Sequence, residues 1–254
     1  MKLGAQLFTV RDFAQTAEGI DSALKRVAQI GYRAVQVSGI GAIEPERLRG
    51  LADRYGLEIA ITHTDRMRIA NDTAAVIREH RILGCRNIGI GSFGYIPGSA
   101  EDYEKFIGQY QNASRMIRDS GMKLHYHNHS FEFQKFNGKT GFDMLLEGFS
   151  PELMGIILDT YWVQVGGKDP AGMILQLKGR IDAVHFKDLA IENNKQKMTE
   201  VLEGNLDWRR IIDACGKAAV QFALVEQDCD WTVGPFESLE TSYRNLSRIM
   251  EVTI

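Results

Sequence analysis

The sequence has few cysteines and no long apolar run. Its three cysteines, Cys85, Cys215 and Cys229, are far apart and form no CxxC pair, which predicts reduced, partly buried thiols. No stretch approaches the roughly 18 apolar residues of a membrane span. The N-terminus has no apolar signal segment before Arg11. We therefore expect a cytoplasmic protein without a membrane partner.

The chain also lacks an excess of positive charge and a nucleotide-binding glycine motif. It contains 30 Lys and Arg against 33 Asp and Glu, a formal net charge of −3. This balance argues against nucleic acid as the main partner. No GxGxxG motif follows the first β-rich segment, so a dinucleotide-binding fold loses its main support. No convincing phosphate-binding loop is present either, which favours an unphosphorylated substrate.

The chain does contain a regular alternation of two kinds of segment. Eight β-rich runs are each followed by a segment with helical periodicity. The predicted strands are Lys2–Phe8, Ala34–Ser38, Glu58–Thr62, Asn87–Gly91, Lys123–Asn128, Gly155–Asp159, Ala183–Lys187 and Phe222–Gln227. The predicted helices are 17–30, 45–55, 72–84, 101–120, 140–148, 169–178, 207–218 and 236–251. Between them, 129–139 and 188–206 are predicted as long irregular loops.

Eight strand–helix pairs predict an α/β protein with a parallel sheet. Because they fit into about 250 residues without a linker or a shift in composition, we predict one domain over residues 1–254. A closed (β/α)8 TIM barrel fits this count better than an open sheet. In such a barrel the active site forms at the carboxyl ends of the strands.

Polar side chains are concentrated at those predicted strand ends. Five of the six histidines lie near the ends of strands 3, 5 and 7. Asp159, His185 and Glu226 belong to the adjacent strands 6, 7 and 8, so their side chains could converge on one point. Carboxylates and an imidazole without a thiolate suit Mn²⁺, Mg²⁺ or Zn²⁺. For each residue alone, a hydrogen-bonded polar group is the simpler interpretation, but the three together indicate a metal site.

Strand 5 carries a cluster of histidines. Alternate residues of a strand face the same side, so His125, His127 and His129 are predicted to share one face. By the same rule His185 and Lys187 share a face on strand 7. Lys187 could therefore place a positive charge near a substrate oxygen, and a salt bridge with a loop carboxylate is the alternative.

Six segments, taken in order, resemble the sugar phosphate isomerase/epimerase family of xylose isomerase-like TIM barrels. This fold includes the endonuclease IV type, AP endonuclease family 2. The resemblance covers essentially the whole chain. The segments that carry it are Gly4-Ala5-Gln6-Leu7-Phe8-Thr9-Val10-Arg11, Tyr126-His127-Asn128-His129-Ser130-Phe131-Glu132-Phe133, Leu158-Asp159-Thr160-Tyr161-Trp162, His185-Phe186-Lys187-Asp188, Glu203-Gly204-Asn205-Leu206-Asp207-Trp208 and Val225-Glu226-Gln227-Asp228.

The resemblance implies one divalent metal ion held by Glu, Asp, His and Glu at the ends of strands 5 to 8. Three of these positions match Asp159, His185 and Glu226. The strand-5 position departs from the family pattern, because it holds His127 and the nearest carboxylate is Glu132. Either side chain could complete the set of ligands.

The resemblance also implies a chemistry in which two glutamates exchange a proton beside a carbonyl. Glu226 would be both a metal ligand and a base, and its partner would be Glu132 or a strand-5 histidine such as His129. An imidazole suits proton transfer at neutral pH. We add Lys187 to the catalytic candidates, and the predicted substrate-binding residues are Gln6, His63, Trp162 and Lys187.

The leading prediction is a metal-dependent sugar isomerase or epimerase that acts on a small carbohydrate through an enediolate-like intermediate. The alternative on the same site is a lyase or dehydratase of a keto-sugar, keto-glycoside or inosose, since proton removal beside a carbonyl is the shared first step. An AP endonuclease-like enzyme would need more metal ligands and a basic surface. A non-enzymatic sugar-binding barrel is the last alternative. The sequence leaves open the sugar, the native metal and whether the protein forms a homo-oligomer.

Overall fold

Eight parallel strands close into a barrel in the computed structural model, which describes residues 1–251. Each strand is hydrogen-bonded to its neighbours in the chain, and the first pairs with the last. The predicted TIM barrel is therefore confirmed. The strands are β1 Lys2–Gln6, β2 Ala34–Val37, β3 Glu58–His63, β4 Asn87–Ile90, β5 Lys123–His127, β6 Met154–Asp159, β7 Ile181–Phe186 and β8 Phe222–Val225.

The helices surround the barrel. They are α1 Ala17–Ile30, α2 Pro45–Arg54, α3 Arg66–Asn71, α4 Thr73–Leu83, α5 Ala100–Asp119, α6 Gly141–Gly148, α7 Thr160–Val165, α8 Pro170–Gln176, α9 Trp208–Ala218 and α10 Pro235–Glu251. The sequence predicted all of these except α3 and α7, which are too short to show helical periodicity. Within residues 1–251, none of the helices is both long enough and apolar enough to cross a membrane.

The two segments predicted as irregular loops each contain a β-hairpin, so that prediction was wrong in part. The paired strands are Lys135–Phe136 with Lys139–Thr140, and Asp188–Glu192 with Lys195–Thr199. Asn137-Gly138 and Asn193-Asn194 connect them, and all four of these residues have positive φ. Asparagine and glycine tolerate that conformation, which tight two-residue hairpin turns require. In the sequence, these turn residues were the features that could have predicted the two hairpins.

The barrel interior is built in layers that follow the alternation of side chains along each strand. A small apolar cluster fills the middle, with Ala34, Ala60, Ile61, Ile157, Ala183, Phe222 and Leu224. Asp159, His185 and Glu226 each follow one of these residues by two positions and so face the same interior. The apolar layer closes the barrel interior beneath the site. A polar layer lies next to it, at the carboxyl ends of the strands.

Asp188 anchors the hairpin that follows β7. Its carboxylate accepts hydrogen bonds from the indole N–H of Trp208 at 2.6 Å and from four backbone N–H groups, those of Leu189, Leu202, Gly204 and Leu206. Gly204 leaves room for this contact, because a Cβ there would lie 2.4 Å from Asp188 Oδ1. The hairpin and the start of α9 are thereby tied to the strand that carries His185.

We expect Asp188→Ala to lower the free energy of unfolding by about 3 kcal/mol or more, because several buried N–H donors lose their acceptor. Urea unfolding measures this loss. Asp213→Ala is the matched control, since its carboxylate on α9 is exposed and pairs with the exposed Lys217. The control should change the free energy by less than about 1 kcal/mol. Equal losses in the two variants would contradict the anchoring role.

Candidate metal centre

Four side chains meet at the carboxyl ends of β5, β6, β7 and β8. They are His127, Asp159, His185 and Glu226, and one potential ligand atom from each lies within 4.8 Å of all the others. All four residues are buried. The structure thus brings together the three residues that the strand pattern predicted to converge, and it adds His127 as the fourth.

Hydrogen bonds orient the two imidazoles of this group. His127 donates from Nδ1 to the carbonyl oxygen of Gly91 at 3.0 Å, and His185 donates from Nε2 to Gln36 Oε1 at 2.8 Å. Because these oxygens only accept hydrogen bonds, the proton of each neutral ring lies on the bonded nitrogen. The other nitrogen then directs its lone pair into the group, as a metal-binding histidine requires.

The two carboxylates each direct one oxygen at this point. Asp159 accepts the backbone N–H of Trp162 on Oδ1 at 2.9 Å, which caps α7 and leaves Oδ2 facing the histidines. His185 Nδ1 and Glu226 Oε2 lie 2.8 Å apart, so once the His185 ring is neutral their lone pairs face one another. Lone pairs that face one another in a buried space fit a bound cation, and this donor set suits a hard or borderline divalent ion.

The charges around the group fit the same conclusion. Lys187 is 1% exposed, and its Nζ lies 2.9 Å from Glu226 Oε2, 3.3 Å from Asp159 Oδ2 and 2.8 Å from Asp228 Oδ2. When the histidines are neutral, as metal binding requires, one ammonium faces three carboxylates. A divalent ion would supply the missing positive charge, and burial makes that balance important.

The pKa values of His185 and Glu226 reflect the attraction between opposite charges in this four-residue group. Burial alone would lower the pKa of His185, but Glu226 and Asp159 outweigh it and raise that pKa to about 9. Burial would likewise raise the pKa of the Glu226 carboxyl, but Lys187 and His185 hold it well below its usual range. A cation bound here must displace the His185 proton, so metal binding should release protons.

Glu132, the other candidate for the strand-5 ligand, lies outside this group. Its Oε1 accepts the hydroxyl of Tyr126 at 2.6 Å, and its Oε2 accepts the backbone N–H of His129 at 2.8 Å. Tyr126 packs into the apolar layer between β5 and the helices, where its ring meets that of Phe106. Both oxygens of Glu132 are therefore occupied on the face of β5 that points away from the four-residue group.

Burial raises the pKa of Glu132 from its ordinary value of 4.5 to about 7, although the hydrogen bonds of Tyr126 and His129 act in the opposite direction. Between these two pH values the folded protein retains a proton that the unfolded chain has lost. The stability from this group is therefore present below pH 4.5 and is lost as the pH rises through 7. We expect the free energy of unfolding of wild type, relative to Glu132→Gln, to fall by about 3 kcal/mol over this range. Urea unfolding at several pH values tests this, and a pH-independent difference would contradict it.

His129 lies beside the group rather than in it. Its ring stacks on Phe131 and lies 4.9 Å from the ring of His127, between centroids. Its Nδ1 is buried and has no hydrogen-bond partner in the described part of the chain. Burial, followed by the charge of His127, lowers the pKa of His129 to about 3. This histidine is therefore neutral at physiological pH and is a weak base.

The predicted substrate-binding residues bring further buried polar atoms to the same end of the barrel. Gln6 Nε2, His63 Nε2 and Trp162 Nε1 are buried and have no hydrogen-bond partner within residues 1–251. The His63 ring lies 5.2 Å from that of His127 and 5.7 Å from that of His185. Lys187 Nζ lies 5.6 Å from the Trp162 ring centre. Such unpartnered groups are available to a ligand rich in hydroxyls.

A cleft of about 460 Å³ opens above the four-residue group. Its walls include three charged residues that the sequence reasoning did not select, Asp65, Arg66 and Asp228. Asp228 follows Glu226 by two positions, so the alternation of side chains could have identified it. Gln36, which orients His185, could have been identified in the same way from Ala34. Arg66 belongs to the short helix α3 and had no comparable signal.

The sequence pattern of the xylose isomerase-like TIM barrel family, AP endonuclease family 2, matches residues 24–227. The chain belongs to this family. An inosose dehydratase of Geobacillus kaustophilus (strain HTA426) is 26% identical over 192 residues, covering 66% of this chain and 62% of that protein. The chain thus spans less than two thirds of this relative.

Two solved structures of xylose isomerase-like barrels share the fold. A sugar phosphate isomerase/epimerase from Parabacteroides distasonis ATCC 8503 has a TM-score of 0.80 and 20% identity, covering 96% of this chain and 93% of that one. A probable 3-DHS dehydratase from Bacillus anthracis has a TM-score of 0.74 and 15% identity, covering 97% and 99%. Both structures show that the fold of this chain recurs in proteins of different names, and the sequence relative is a dehydratase.

Proposed function

We propose that the protein is a divalent-metal-dependent dehydratase that acts on a polyhydroxylated ketone, such as a keto-sugar or an inosose. The observation that carries this proposal is the arrangement at the end of β5. His127 stands where the family pattern has a glutamate, and Glu132 is bonded on the opposite face of the strand. The pair of opposed glutamates that epimerisation uses is therefore incomplete, and Glu226 is the glutamate that faces the cleft.

The metal ion would be held by His127, Asp159, His185 and Glu226. When bound, an ion such as Mn²⁺, Mg²⁺ or Zn²⁺ would hold substrate oxygens and stabilise the enediolate-like negative charge. The proposal rests on the inward lone pairs of the two histidines and on the uncompensated carboxylates.

Glu226 removes the proton from the carbon beside the carbonyl. It then returns that proton to the hydroxyl that leaves the next carbon, so one molecule of water departs and a carbon–carbon double bond forms. The ammonium of Lys187, 2.9 Å from Glu226 Oε2, keeps the carboxylate ionised and ready to accept the proton. Gln6, His63 and Trp162 offer their unpartnered N–H or ring nitrogen groups to the remaining hydroxyls.

A sugar isomerase or epimerase is the second candidate, because its first step is the same proton removal. His129 favours it, since its buried Nδ1 has no partner and lies beside the ligand His127. That nitrogen would be the second proton-transfer group. We place dehydration first because the described residues that line the cleft include one glutamate, Glu226, and because an inosose dehydratase is among the relatives.

Incubation with Mn²⁺ in deuterated water, with a panel of ketoses, keto-glycosides and inososes, tests the proposal by NMR and mass spectrometry. A product that has lost one water supports dehydration. Deuterium beside the carbonyl of recovered sugar, without loss of water, would instead establish the isomerase or epimerase. Parallel reactions with EDTA-treated protein should show neither change. Sugar binding without turnover under any metal condition would contradict both candidates.

A further inference from the structure

Arg66 is a cation in the wall of the cleft, and no carboxylate within residues 1–251 pairs with it. The cleft is lined by two cationic side chains, Lys187 and Arg66, among the described residues. Lys187 is surrounded by three carboxylates. The guanidinium of Arg66 donates to the sulfur of Met67 at 3.3 Å and contacts the hydroxyl of Tyr110, and it makes no ion pair within residues 1–251. Since thioether sulfur is a weak acceptor, most of its N–H donors remain available.

The position of Arg66 is fixed before any ligand arrives. The hydroxyl of Tyr110, a buried residue of α5, donates to the backbone carbonyl of Arg66 at 3.0 Å. The guanidinium lies against the loop after β4, where Gly94 has a φ of +89°. A Cβ at Gly94 would lie 2.3 Å from Arg66 Nε. The half-buried guanidinium therefore packs directly against the backbone of Gly94. This contact restricts the Arg66 side chain, so less conformational entropy is lost when a ligand binds.

Within residues 1–251, the neighbouring carboxylates form no ion pair with Arg66 and have other partners. Asp65 also lines the cleft, but its carboxylate accepts the backbone N–H of Arg68 at 2.9 Å and caps α3. Arg68, two residues later on the same helix, pairs with Glu79 at 2.6 Å and does not line the cleft. The two arginines of α3 therefore differ. Arg68 forms an ion pair outside the cleft, whereas Arg66 lines the cleft without one.

We propose that Arg66 binds an anionic group of the substrate, a carboxylate or a phosphate, so that the enzyme acts on an acidic sugar derivative. The planar guanidinium presents paired N–H donors that match both groups. The inference rests on the proposed function, in that the metal centre and Arg66 share one cleft. It also reverses the expectation of an unphosphorylated substrate, if phosphate is the group that binds.

Calorimetric titration of the Mn²⁺-loaded protein with three probes tests the inference. D-Fructose, D-fructuronate and D-fructose 6-phosphate share a ketose and differ at the terminal carbon, which carries a hydroxyl, a carboxylate or a phosphate ester. We expect at least one acid to bind about tenfold to a hundredfold more tightly than fructose. The acid that binds more tightly than fructose shows whether Arg66 recognises a carboxylate or a phosphate.

Arg66→Gln should remove this preference while leaving fructose affinity unchanged, and Arg66→Lys should restore part of it. Arg68→Gln is the matched control and should keep the full preference. The inference is overturned if neither acid binds more tightly than fructose, including the case in which none of the three binds, or if Arg66→Gln keeps the preference. Mn²⁺ affinity, measured in the same preparations, separates these outcomes from a failure of the proposed metal centre.

Discussion

Glu226→Gln should lower kcat by about 10²- to 10⁴-fold, the contribution expected of a general base. The amide has almost the same shape and keeps one oxygen that can face the metal, but it cannot accept the proton removed beside the carbonyl. Steady-state kinetics on the substrate found by the NMR panel measures the loss. Metal content, determined on the same sample by mass spectrometry, shows whether the ion is still bound.

Glu237→Gln is the matched control for this experiment. Glu237 lies in the first turn of α10, is half-buried, forms an ion pair with Arg26, and is not among the residues that line the cleft. Its loss should leave kcat unchanged. A Glu226→Gln enzyme that binds metal and retains near wild-type turnover would eliminate Glu226 as the base. Asp228 would then be the next candidate, because burial raises the pKa of its carboxyl and its Oδ1 has no partner.

His127→Ala should weaken Mn²⁺ binding by more than about a hundredfold, whereas Glu132→Gln should leave it unchanged. The reason is that the imidazole of His127 lies with the other potential ligands, while both oxygens of Glu132 are bonded elsewhere. Saturating metal at a hundred times its Kd stabilises a folded protein by about 2.7 kcal/mol. For a chain of this size we expect Tm to rise by about 5–10 °C.

The same melting curves separate ligand loss from damage to the fold. His125→Gln is the matched control, since His125 faces the barrel interior two residues earlier and bonds to Asp182 at 2.9 Å. This control should lower the Tm of the metal-free protein but keep the increase on adding Mn²⁺. His127→Ala should lose that increase. A normal increase in His127→Ala together with a lost increase in Glu132→Gln would assign the fourth ligand position to Glu132.

The β-rich runs of the sequence predicted the barrel strands and the end of the barrel where polar side chains lie. Strand ends predicted from β-rich runs agree with the structure to within two residues, because each run is short and bounded by polar or glycine residues. Once a strand end is known, the alternation of side chains identifies which residues face the interior. Ile157 and Asp159 on β6 illustrate the rule, as do Ala183 and His185 on β7.

The short elements after the strands were less predictable. Helices α3 and α7 begin within three residues of the ends of β3 and β6, and each is six residues long. One and a half turns give too little periodicity to separate a helix from a loop. Arg66 was missed for this reason, since its place in the cleft depends on how α3 packs under Tyr110 and against Gly94.

By itself, the sequence determined the barrel, the end of it that carries the site, and the convergence of Asp159, His185 and Glu226. These features follow from periodicity within single segments. The position of Glu132 depended on the tertiary structure, because it lies beyond the end of β5 where the alternation rule no longer applies. The hydroxyl of Tyr126 and the backbone N–H of His129 hold its carboxylate away from the cleft, and His127 faces the other three side chains instead.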